Sequence, residues 1–466
     1  MMRVKEQTAL LLLTGLLVSG TAEARIGLDT SGYAEYEKFI QSDPPPAAKQ
    51  RFTKDEWRLH LELTLGGNNH YLFLRPEFYL LSPQSSTEPG YSYQYIPEGE
   101  ETGEHLRSAT PGHEVSLPEA YLNLSFSRLQ LRLGNQIFNW GTMDIANPTA
   151  FFNPYDEREL MFRGADEAKI GVLSASANLN IGSSSTLSLV FVPQPGRTRL
   201  PDENSFWAPD LDNYATPVYI RAPDEPEETE AGFGARLGTT LGSTDLSVSG
   251  YHGQDNQPTM VPIGTFITST NQVGIDVRTS HPVVDVAAAD FAHSLDQLVL
   301  QGAAAFSPNK SMVVSQENIR LEDMTFPYET TGVPWISWAA GFNYFPSFGR
   351  LFRRHDGETM IAVEYMETRY EETEISSPMA SEFVGGQIQD SFGEGTLNLA
   401  LSGFFDTGRG SRVLWPRLDY QHASGVSAGA GWINIDGEMR RRNLMGPVFY
   451  YLRNKDLVTF NLKYQF

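Results

Sequence analysis

Between Pro118 and Ile137 two runs of alternating residues stand back to back across a turn with no room for a helix. In the first, Ala120, Leu122, Leu124 and Phe126 alternate with Tyr121, Asn123, Ser125 and Ser127; in the second, Leu129, Leu131, Leu133 and Ile137 alternate with Gln130, Arg132, Gly134 and Gln136. A period of two puts one row of side chains on each face of a strand. Ser127 and Arg128 leave space only for a tight turn, so the arms form an antiparallel hairpin. The hairpin then opens abruptly into GTMDIANPTAFFNPYDERELMF, a long segment rich in aromatics and Asn-Pro steps. One tight end and one elaborate end is the repeating unit of an outer-membrane barrel.

The rest of the chain agrees with that unit. Past the N-terminus no stretch approaches the ~18 apolar residues of a membrane helix. A membrane protein without helices has to close its strands into a barrel, because backbone groups cannot go unpaired in lipid. The N-terminus reads MMRVKEQ, ALLLTGLLV, SGTAEA: a basic head, a short apolar core and an Ala-x-Ala ending. That is a secretory signal, residues 1–24, with cleavage expected between Ala24 and Arg25. Residues 25–466 then read as one barrel domain.

Strand-like runs and breaks follow in alternation. Trp57, Leu59, Leu61, Leu63 and Leu65 alternate with polar residues, and Gly66-Gly67-Asn68-Asn69 turns the chain into YLFLRPEFYLL. A long loop from Ser82 to Ser116 leads to the opening hairpin. Further pairs are Ala168–Ile181 with TLSLVFVP, DVAAADFAH with LVLQGAAAF, ISWAAGFNYF with TMIAVEYME, LNLALSGFF with VLWPRLDY, and GPVFYYL with LVTFNLKYQF. The expected fold class is all-β: a transmembrane antiparallel β-barrel of about 16–18 strands, with short periplasmic turns and long extracellular loops. In the last run Val458, Phe460, Leu462, Tyr464 and Phe466 share a face, and a strand ending in Phe resembles the assembly signal of bacterial outer-membrane proteins, carried here by Tyr464 and Phe466.

The run LRLGNQIFNWGTMDIANPTAFFNP resembles a little-characterised, porin-like family of Gram-negative outer-membrane barrels. Its pattern, G-x-Q-x-x-x-W-G, an Asp, then N-P-T-x-x-x-N-P, is supplied by Gly134, Gln136, Trp140, Gly141, Asp144, Asn147, Pro148, Thr149, Asn153 and Pro154. The resemblance implies a barrel that passes or exports something and names no cargo.

Asn147-Pro148 and Asn153-Pro154 each start a turn, since the residue before proline is pushed out of helix. The compact loop they enclose is the third long one, and it is expected to fold inward around residues 141–166. Its constriction would carry Asp144, Asp156, Glu157, Arg158, Glu159 and Arg163; a packed lid over the mouth is the alternative. On the polar strand faces, Arg58, Glu62, Arg75, Glu77, Arg132, Glu364, Arg417 and Asp419 should point into the lumen, because a charge at mid-membrane costs ~2–4 kcal/mol.

Composition narrows the function further. The absence of cysteine removes disulfides and thiolate chemistry, and the nine histidines show no metal-ligand spacing, so neither a metal nor a cofactor is expected. A formal net charge of -22 argues against nucleic acid. The best enzyme-like candidate, His422 and Ser424, reads equally as a hairpin turn, and no enzyme is expected. The acidic runs at 224–230 and Glu371 to Glu374 read as solvated loop charge. The expected function is a porin-like channel for small polar solutes in the outer membrane. The alternatives are an export channel and a structural or surface-interaction barrel with a filled lumen. Expected partners are outer-membrane lipids, lipopolysaccharide and the barrel-assembly machinery, with a homo-oligomer left open.

Overall fold

The computed structural model describes residues 27–43, 52–81, 93–95, 108–110, 113–145, 147–159, 167–200, 206–207, 219–222, 229–267, 273–314, 325–346, 358–371, 382–407, 410–437, 452 and 455–466. The signal segment, Arg163 and most of both acidic runs lie outside them.

Eighteen strands make up the wall. The first six are β1 (Gly27–Gln41), β2 (Thr53–Gly66), β3 (His70–Leu81), β4 (His113–Ser125), β5 (Leu129–Gln136) and β6 (Val172–Ile181). Next come β7 (Ser185–Val192), β8 (Gly232–Leu241), β9 (Thr244–Gln254), β10 (Val283–Leu295), β11 (Leu298–Val313) and β12 (Thr330–Tyr344). The last are β13 (Thr359–Tyr370), β14 (Glu382–Phe392), β15 (Leu397–Asp406), β16 (Arg412–Gln421), β17 (Val426–Asp436) and β18 (Leu457–Gln465). Each pairs antiparallel with the next, as in the hairpin register Leu122↔Leu133 of β4 and β5. The ring closes where β18 pairs with β1, from Tyr33↔Gln465 to Gln41↔Leu457.

Alternation decides which face meets lipid. Large apolar side chains are exposed in rows on the outside: Trp57 and Leu65 on β2, Leu189 and Phe191 on β7, Leu399, Leu401 and Phe405 on β15, Phe460, Leu462 and Tyr464 on β18. Their neighbours one residue away point inward and are buried or polar, including Arg58 and Val190. Most short connections lie at one end of the barrel, such as 67–69, 126–128 and 242–243; the long ones lie at the other. At that long-loop end, Tyr93–Tyr95, Tyr219–Ala222, Thr259–Ile267 and Val273–Ser280 form a separate four-stranded sheet drawn from three loops.

Three sequence readings need correction. The strand expected from Ala168 starts at Val172, because Ala168 and Ile170 spend their backbone groups on the preceding loop: Asp156 N–H donates to Ala168 O (2.7 Å) and Ile170 N–H to Pro154 O (2.8 Å). The long loop ending at Ser116 gives way to strand at His113, whose register with Ser108–Thr110 begins the pairing early. The last strand is flanked not by GPVFYYL but by β17. Of that run only Leu452 is among the described residues, where it is fully buried beside Ile433.

Candidate functional site

The motif residues 134–154 build a knot at the exit of β5. Asn153, 3% exposed, is its centre. Its Nδ2 donates to Gln136 O (3.0 Å) and Ile170 O (2.8 Å), and its Oδ1 accepts the N–H of Phe138 (2.7 Å), so one amide ties the entry of the loop to its return. Asn147 caps the turn it starts: Nδ2 donates to Trp140 O (2.7 Å), while Oδ1 accepts from Thr149 N (3.0 Å) and Thr149 Oγ1 (2.7 Å). Gly141 has φ +103°, and a Cβ there would lie 2.2 Å from Thr149 Oγ1, which explains why glycine follows Trp140. Pro148 and Pro154 are both buried.

The aromatic side chains of the loop pack on the inner face of the wall. Trp140 and Phe152 meet edge to face with centroids 4.5 Å apart, and Phe152 meets Tyr251 of β9 at 5.1 Å in the same way. Val172, Val190, Val192, Val284, Val286, Ala288 and Ala305 complete the cluster. Gly234 of β8 makes room for it, since a Cβ there would lie 2.1 Å from Phe152 Cζ. Neighbouring loops add polar ties: Asn256 Nδ2 donates to Phe151 O (2.9 Å), and Gln257 Nε2 to Glu157 Oε1 (3.1 Å).

Further along, the segment reaches strands β11 to β14. Glu364 of β13, fully buried, accepts the backbone N–H groups of Asp144 (2.8 Å) and Ile145 (2.9 Å). The exposed Asp144 carboxylate accepts from Asn343 Nδ2 of β12 (2.7 Å) and Gln301 Nε2 of β11 (3.3 Å). Ile145 packs on Gly385 of β14, where a Cβ would lie 2.4 Å from its Cγ2.

The returning half is tied to β2 and β4 by charge. Lys54, 2% exposed, pairs with Glu159 and with Glu56 (2.5 Å). Arg58 pairs with Glu167 (2.8 Å) and Glu56 (3.4 Å). Arg158 pairs with Asp156 (2.6 Å) and with Glu114 of β4 (3.2 Å). Burial raises the Glu157 carboxyl above the usual carboxylate range; the Gln257 hydrogen bond pulls it down and the Asp156 charge raises it further. Thus Asp144, Asp156, Glu157, Arg158 and Glu159 all contact the wall or a neighbouring loop, but they do not meet as one cluster.

The remaining charges read from the strands lie on the inner face in local pairs. Glu77 accepts from Tyr79 OH (2.7 Å) and contacts His60 Nδ1 (3.0 Å); Arg75 pairs with Glu119 (2.9 Å); Glu62 accepts from Ser31 Oγ (3.3 Å). Arg132 donates to Asn123 (3.2 Å) and sits 4.9 Å from the Tyr121 ring centroid, and Arg417 pairs with Asp419 (2.7 Å). His422 and Ser424 belong to the turn between β16 and β17, with His422 Nδ1 2.7 Å from Ser424 Oγ and Gly425 N–H donating to His422 O (3.1 Å). At the seam, Phe466 N–H donates to Gly32 O (3.0 Å) and Gly32 N–H to Phe466 O (3.1 Å).

Sequence reasoning missed Lys54, Glu114, Gln301, Asn343 and Tyr251. Gln301 and Asn343 carried a signal: each is a lone amide at an inward position of an otherwise Ala-, Gly- and Phe-rich run. Lys54 and Glu114 open their strands, where alternation is too short to read.

A closed antiparallel ring, apolar outside and polar inside, is a porin-like transmembrane β-barrel. Among the described residues no helix is long and apolar enough to cross a membrane. Residues 9–367 match the family described as "Protein of unknown function (DUF1302)", and the chain belongs to that family. No curated protein matches the sequence. Among solved structures, a BenF-like porin from Pseudomonas fluorescens Pf-5 is similar over 96% of this chain and 99% of its own, with TM-score 0.50 and 8% identity. OccAB1 of Acinetobacter baumannii is similar over 96% and 98%, with TM-score 0.48 and 9% identity.

Proposed function

We propose that this protein is an outer-membrane channel for small polar solutes, narrowed by the segment around residues 141–166. The observation that carries the reading is the span of that segment's anchors. One end is ion-paired to β2 and β4, while Asp144 and Ile145 are bonded to side chains of β11, β12 and β13, strands well round the ring. Anchors spread this far round the ring favour a course across the bore over one along the rim. The inner-face charges keep the remaining bore wet. Lipids and lipopolysaccharide would surround the apolar rows, and the barrel-assembly machinery would read the final strand.

Planar-bilayer conductance tests this. Wild type should conduct, with a modest cation preference at low salt that fades as the Debye length falls below ~10 Å. Excising Asn147 to Arg158 with a short Gly linker should leave a heat-modifiable barrel and raise its conductance. A deletion that folds but conducts as before makes the segment a lid. Silence from both proteins points to a filled barrel.

A further inference from the structure

We infer that Asp144, flanked by Gln301 and Asn343, is a binding site for a single ammonium group on a permeating solute. The inference rests on the channel reading and specifies what the channel would prefer. The other described acids of the segment are already engaged: Asp156 by Arg158, Glu159 by Lys54, and the half-buried Glu157 by Gln257. Asp144 differs on each count. It is exposed, its side-chain partners are two neutral amides, and no basic side chain pairs with it among the described residues.

Its position is fixed from several sides. The backbone N–H groups of Asp144 and Ile145 are held by the buried Glu364 carboxylate, and Ile145 is seated on Gly385. The carboxylate is therefore preorganised before any ligand arrives, which is what a weak, fast site in a pore requires.

A second observation comes from the amides. Gln301 is 8% exposed, and its Oε1, like Asn343 Oδ1, is buried without a hydrogen-bond partner. Native proteins rarely leave such acceptors unmet. Both amide nitrogens are turned to Asp144, an arrangement that eases its charge when the site is empty. A half turn of either amide exchanges its nitrogen and oxygen, which are nearly isosteric. That turn presents a carbonyl to a cation held by Asp144. The donor set would then be one carboxylate oxygen and two amide oxygens, matching the three N–H donors of an ammonium group. It is too small for Ca²⁺, which takes six to eight oxygens.

The test is block of potassium current by 1,4-diaminobutane in a planar bilayer. Wild type should show millimolar block, and Asp144→Asn should weaken it about tenfold, the order expected for losing one charge-assisted contact. Asp245→Asn, an equal charge change at the start of β9, serves as the comparison and should not weaken it. Asn343→Asp adds a second carboxylate and should tighten block, an effect that a purely structural role for Asn343 would not produce. Equal block of wild type and Asp144→Asn, or no tightening by Asn343→Asp, overturns the site while leaving the channel standing. If Asp144→Asn does not fold, Asn343→Asp alone decides. Wild type that does not conduct overturns the channel reading, and this inference with it.

Discussion

The two halves of the segment between β5 and β6 are held to the same wall by different forces. From Phe138 to Asn153 the hold is by rings and hydrogen bonds without an ion pair among the described residues: a nest of aromatic rings on the inner face, amide hydrogen bonds from Asn147 and Asn153, and the Glu364 carboxylate on the N–H groups of Asp144 and Ile145. From Asp156 to Glu167 it is ionic, through Lys54, Arg58 and Arg158. The contrast shows a division of labour. Ring packing stabilises in proportion to area removed from water and ignores salt. Charge pairs add little net energy once desolvation is counted, but removing one partner strands the other. The first half fixes where the segment sits, and the second fixes which way its polar groups face.

The comparison breaks most readily at Phe152. Phe152→Ala should cost about 3–5 kcal/mol of loop docking, the range for truncating a buried aromatic. Faster hydrogen exchange at the Phe138 amide, which Asn153 protects, would register the loss. Unchanged exchange there would mean that the rings are not what holds the first half. Next comes Lys54→Met, which removes the buried cation shared by Glu159 and Glu56, Glu56 keeping Arg58, and should cost about 3 kcal/mol. The gel-shift temperature of the folded barrel should fall, and Lys54→Met combined with Glu159→Gln should recover part of the loss. Absence of recovery would mean that the ionic hold is unimportant.

The smallest effect concerns Glu157. Because burial raises its carboxyl pKa in the folded state, folding favours the protonated form. The resulting penalty is absent in acid, below the ordinary Glu value near ~4.3, and grows as pH rises through the raised folded value. Glu157→Gln should therefore raise the melting temperature at pH 7.5 and lose that advantage at pH 4. A variant that is less stable at pH 7.5 would contradict the burial argument.

The wall was legible in the sequence wherever the outward row was large and apolar. Leu59 to Leu65, Leu129 to Leu133 and the closing run announce themselves, because lipid demands bulk at alternate positions. β1, β14 and β17 went unread for the opposite reason. Their outward positions include Gly32, Ala34, Gly386, Ala428 and Ala430, so period two is present in geometry but faint in hydropathy. The candidate site divides in a similar way. Asn147, Asn153 and Gly141 were readable because turn chemistry is local. The partners of Asp144 were not, because Gln301 and Asn343 stand 157 and 199 residues away and only ring closure brings them near. The four-stranded sheet of loop residues could not be foreseen for the same reason.

The uneven height of the wall has a consequence for the bilayer itself. β5 and β7 have only 8 residues each, whereas β11 has 16 and β12 has 15. At ~3.4 Å per residue and a tilt of about 40°, 8 residues rise roughly 21 Å, short of the ~25 Å apolar band that such barrels present to lipid. Acyl chains beside β5 and β7 would have to shorten, or the barrel lean toward them, and each ångström of mismatch carries its own cost. The early end of β5 therefore lets the chain leave the wall a few ångströms below the top of that band, where the surrounding membrane would be drawn thin.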